Sequence, residues 1–79
     1  MTLLNSAVGA LVEIRAILGG AAITNRMHAL GFYKGSMIRV VKAAPFRGPL
    51  LIEDAKTGAR VMIGRGMADK IEVISAEKT

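Results

Sequence analysis

Leu30-Gly31-Phe32-Tyr33-Lys34-Gly35-Ser36, followed one strand-length later by Ala44-Pro45-Phe46-Arg47-Gly48-Pro49, decides how this chain folds. Gly31 stands where a helix needs a left-handed C-terminal cap, a motif that brings the next residue, Phe32, back onto Met27. Lys34-Gly35-Ser36 then reads as a turn into a strand. Pro45 and Pro49 each lack an amide donor and Gly48 loosens the backbone between them, so residues 44–49 form a loop and not a central strand, with Phe46 near its tip. These positions, together with Gly58 further on, supply turn geometry. None lies beside a plausible catalytic pair, which points to a binding module and away from an enzyme.

Outward from this stretch the pattern is that of short strands. Before it, Ala10, Val12, Ile14, Ala16 and Leu18 are apolar at every second position while Glu13 and Arg15 fall on the other face, the period of a half-buried strand. Gly19-Gly20 closes that strand. Ile23, Met27 and Leu30 follow at helical spacing with Arg26 turned outward, so 21–30 is one short amphipathic helix. After the turn, Met37 to Ala43 places Ile38 and Val40 on one face and Arg39 on the other. Leu50 to Asp54 and Ala59 to Ile63 form a hairpin around Lys56-Thr57-Gly58, with Gly58 in a bulged turn and Ala59, Val61 and Ile63 inward. Met62 lies on the outward face, a candidate for an exposed apolar patch. One helical turn over 64–69 precedes a last strand, Ile71 to Ile74. The expected architecture is mainly β: a small, bent, SH3-like antiparallel barrel of five strands, one domain over 1–79 with fraying ends at 1–6 and 75–79.

Composition narrows the function classes. The 79 residues contain no cysteine, which removes disulfides, thiolate metal sites and thiol nucleophiles. The longest uncharged run, Met1 to Val12, is too short to cross a bilayer, and the start lacks the positive charge of a signal peptide, so a cytoplasmic location is expected. The net charge is +5, and Arg15, Arg26, Lys34, Arg39, Lys42 and Arg47 follow Glu13 with no carboxylate before Glu53. Such a field favours an acidic partner: nucleic acid, anionic lipid or an acidic protein face.

The chemical motifs reduce to structural ones. Gly64-Arg65-Gly66-Met67-Ala68-Asp69 lacks the third glycine and the long helix of a dinucleotide fingerprint, and Lys34-Gly35-Ser36 reverses the order a phosphate loop requires. His28 is the sole histidine and has no carboxylate at ligand spacing, so no metal site is expected. Ser6, Ser36 and Ser75 have no general base in reach of a pattern. Tyr33 and Phe46 sit beside turn residues and beside Lys34 and Arg47, as on a docking surface. With Arg26, these four residues make up the candidate partner-binding set.

The chain resembles the ferrous iron transport protein A (FeoA) family. The resemblance rests on Ile14 through Gly20, on Met27-His28-Ala29-Leu30-Gly31 leading to Gly35-Ser36, on Ala44-Pro45-Phe46-Arg47-Gly48-Pro49-Leu50 and on Ala68-Asp69-Lys70-Ile71-Glu72-Val73. It departs from many relatives in carrying Met27 where a leucine is common, and Lys34 where a proline precedes the glycine, which loosens the restriction of the unfolded chain at that turn by ~0.5 to 1 kcal/mol. The resemblance implies an SH3-like fold and a non-enzymatic accessory without cofactor. Its implied partner is a membrane ferrous iron transporter with a cytosolic G-protein-like domain, met at the inner face of the cytoplasmic membrane. Two alternatives stand beside it: a basic barrel binding nucleic acid through aromatic platforms, and a free relative of the C-terminal SH3-like module of metal-dependent repressors.

Overall fold

A computed structural model describes residues 1–77. Five strands, β1 (Leu11–Ile17), β2 (Met37–Ala43), β3 (Leu50–Asp54), β4 (Arg60–Ile63) and β5 (Ile71–Ser75), form one antiparallel sheet in the order β4-β3-β2-β1-β5. Helix α1 (Ala21–Ala29) joins β1 to β2, and a helical turn, α2 (Arg65–Ala68), joins β4 to β5. The alternation in β2 and β3 buries Ile38, Val40, Leu50 and Ile52 on one face, where they meet Val12 and Ile14 of β1 and Ile71 and Val73 of β5. This is the small SH3-like architecture expected from the pattern.

The cap after α1 has the expected form. Gly31 adopts φ +92°, its N–H donates to the His28 carbonyl at 3.0 Å, and the Phe32 N–H donates to the Met27 carbonyl at 2.9 Å. These are the two paired bonds of a Schellman motif. Met27 and Phe32 are both wholly buried in the same cluster, so the cap fixes the helix to the core and aims the chain at β2.

Three local expectations need correction. In β1 the pairing with β5 runs Ile14↔Val73 then Ala16↔Glu72, so Arg15 is an extra residue, a β-bulge. Beyond it the faces exchange: Ile17 pairs with buried Ile71 and packs on the core, whereas Leu18 is 45% exposed. Ala59 also faces solvent, because it belongs to the turn and β4 begins only at Arg60.

The third correction concerns the ends. Residues 1–6 do not fray: Leu3–Asn5 is a 3-10 turn, Leu3 is 0% exposed in the core, Thr2 bridges Glu72, and the Val73 N–H donates to the Met1 carbonyl at 2.8 Å. One apolar side chain inserted beside β5 holds the segment. At the other end Ser75 belongs to β5, the Ala76 N–H donates to the Leu11 carbonyl, and a Glu77 carboxylate oxygen accepts the Leu11 N–H at 2.7 Å. The rest of the expected frayed tail, residues 78–79, lies outside the described residues.

Candidate interaction surfaces

β2 separates the five candidate contact residues into two groups. Seven residues of strand place Ser36 and Ala44 roughly 25 Å apart along the chain. Arg26, Tyr33 and Lys34 gather before β2, where α1 ends, and Phe46 and Arg47 occupy the loop after it.

At the first end, Arg26 and His28 lie in the last turn of α1, where cations complement the carbonyl end of the helix dipole. The His28 and Tyr33 rings stack at 4.8 Å between centroids with 29° between planes. The Tyr33 N–H donates to Ser36 Oγ at 2.9 Å, and the Ser36 N–H returns to the Tyr33 carbonyl at 2.9 Å, which sets the turn; Gly35 has φ +94°. Tyr33 is half exposed on this rigid support. Beside it Lys34 and Lys56 rim a shallow polar depression of about 420 Å³. Its one carboxylate, Asp54, already accepts the Lys56 and Thr57 N–H groups in the β3–β4 turn.

At the second end, Phe46 is 99% exposed. Phe46 and Arg47 have φ of 57° and 62°, consecutive left-handed residues that are neither glycine nor asparagine, a conformation costing on the order of 1–2 kcal/mol each. The loop is closed by the Ala44 N–H donating to the Pro49 carbonyl at 3.0 Å and the Gly48 N–H donating to the Pro45 carbonyl at 3.2 Å. Beneath the tip runs an apolar groove of about 310 Å³ lined by Lys42, Ala44, Pro45, Pro49, Leu51 and Met62.

Sequence reading singled out Met62 on the outward face, and it is 56% exposed there, but Lys42, Leu51 and the groove itself were missed. Their alignment depends on a second bulge. β2 pairs Val40↔Ile52 and then Lys42↔Leu51, leaving Val41 as the extra residue, while β3 pairs Leu51↔Met62. Lys42, Leu51 and Met62 thereby form a row across three strands. A signal for this was present: strict alternation would have put Lys42 on the core face with Ile38 and Val40, where an unpaired charge is not tolerated.

Among the described residues no three His, Cys, Asp or Glu side chains converge, and no helix is long and apolar enough to cross a membrane.

Known proteins bear out this architecture. The solution structure of FeoA from Chlorobium tepidum superposes with a TM-score of 0.87 at 23% identity, covering 98% of this chain and 71% of that one. A crystal structure of an iron uptake regulatory protein (FeoA) gives a TM-score of 0.80 at 27% identity, with 92% of each chain covered. A manganese-dependent transcriptional repressor contains the same fold, with a TM-score of 0.86 at 22% identity; this chain is 95% covered and spans 36% of the repressor. No curated protein sequence is a significant match. The family model of the FeoA domain matches residues 1–75, and the chain belongs to the FeoA family.

Proposed function

We propose that this chain is a non-enzymatic cytoplasmic accessory of a ferrous iron uptake system, which docks on the cytosolic G-protein-like region of the membrane transporter and modulates its activity or assembly. Family membership over residues 1–75 is the observation that carries this reading. The first end of β2 offers a suitable face: Tyr33, buttressed by His28, is a rigid aromatic contact, Lys34 and Lys56 rim the adjoining depression, and Arg26 adds positive charge in the last turn of α1. None of these three cations is in an ion pair among the described residues.

A nucleic-acid role fits less well. Stacking of successive bases requires neighbouring aromatic side chains, and exposed Tyr33 and Phe46 lie at opposite ends of β2 while Phe32 is buried. The repressor-module alternative rests on shared fold alone.

The test is a binding titration of the purified cytosolic region of the transporter with wild-type protein, Lys34→Glu and Tyr33→Ala. Saturable binding that weakens about five- to thirtyfold in both variants is expected, since contacts of this kind contribute about 1–2 kcal/mol each. Absence of wild-type binding would sink the docking reading, and wild-type affinity in both variants would remove this face from it.

A further inference from the structure

We propose that the loop between β2 and β3 is a lipid-contacting tip: Phe46 inserts into the interfacial layer of an anionic bilayer while Lys42, Arg47 and Arg65 meet headgroup phosphates. The inference is independent of the transporter reading, because it concerns lipid and needs no protein partner.

Three observations carry it. Phe46 is exposed over its whole side chain, at the apex of a loop held in a left-handed conformation by Pro45, Pro49 and two cross-loop hydrogen bonds. A preformed protrusion loses little freedom on insertion, and its apolar extent continues down through Pro45, Pro49 and the outward side chains of Leu51 and Met62. The cations around it are uncompensated. Lys42 stands across from Leu51, Arg47 follows Phe46, and Arg65 comes two residues after Ile63, the partner of Leu50 where the sheet meets the loop. None of the three forms an ion pair among the described residues.

The occupant is decided by this charge. A second copy of the chain, with its own Phe46 seated in the groove, would bring two such cationic loops together with no loop carboxylate between them. An anionic bilayer instead neutralises the cations as the ring enters, and the attraction falls off within a Debye length of the surface.

Co-sedimentation of the full chain with vesicles of phosphatidylcholine, with and without phosphatidylglycerol, tests it. Wild-type protein is expected to bind only the anionic vesicles and to be released by high salt. Phe46→Asn, which tolerates the left-handed backbone and removes no packing, is expected to weaken binding on the order of tenfold. Arg47→Glu is expected to abolish it, whereas Lys56→Glu, the same charge change in the β3–β4 turn at the opposite end of β3, leaves most of it. Equal losses in Arg47→Glu and Lys56→Glu would reduce the effect to diffuse charge and overturn the tip. So would unchanged binding by Phe46→Asn or failure of wild-type protein to bind. Sedimentation equilibrium on the same samples gives the remaining outcome: a dimer lost in Phe46→Asn without lipid binding would hand the tip to a second copy.

Discussion

A methyl group on Gly48 would lie 2.6 Å from the Cβ of Ala44 and 3.2 Å from the Pro45 carbonyl oxygen. Neither neighbour is the end of a flexible side chain, so the two strands of the loop would have to part. Gly48→Ala is expected to break the Ala44–Pro49 closure and cost about 1–3 kcal/mol as an overpacking change. Urea midpoints measure this, and a midpoint equal to wild type would show that the loop is not closed at Gly48.

Gly31 requires its glycine for a different reason. No atom lies within 4 Å of the place its Cβ would occupy, yet φ is +92°. Gly31→Ala therefore meets backbone strain alone, and is expected to lower stability by about 1–2 kcal/mol. In a chain of 79 residues this is a fall in Tm of roughly 4–16 °C. Restoration by Asn at the same position, which tolerates this region better than Ala, separates strain from lost packing.

Leu3→Ala distinguishes a docked start from a frayed one. With Leu3 wholly buried, truncation to Ala is expected to cost about 2–5 kcal/mol, a large part of the roughly 4–12 kcal/mol that a domain of this size possesses. A frayed segment would show no change in thermal unfolding.

Most of the fold is legible in the chain, because local patterning and tertiary packing agree over it. Met37–Ala43 is read with its observed bounds since Ile38, Arg39 and Val40 alternate cleanly between a turn and a proline loop. The cap at Gly31 is equally plain. Arg15 and Val41 are not, because a bulge leaves no mark in composition and shows itself only when the partner strand is in place. Leu3 is hidden for a related reason: its burial is created by β5, almost seventy residues away. The candidate site was legible as a set of residues and not as a surface. Tyr33 and Phe46 look alike in sequence, each an aromatic beside a cation in a turn, and only the length of β2 divides them.

Arg47→Gly probes what the loop's conformation is for. Arg47 is exposed, unpaired among the described residues and held at φ 62°, so the substitution discards no packing and relieves left-handed strain of about 1–2 kcal/mol. Against this, glycine gives the unfolded chain more freedom, worth about 0.4–1 kcal/mol. The two contributions oppose each other, and the net expectation is stability equal to wild type or higher by up to about 1.6 kcal/mol. Equilibrium unfolding in urea checks this directly. Strain that survives at an exposed position where glycine would fit better reflects a demand on the side chain, and the same variant is accordingly expected to bind anionic vesicles more weakly while unfolding no earlier. A clear loss of stability would mean that the Arg47 side chain supports the fold, and that the left-handed pair is a structural necessity of the turn.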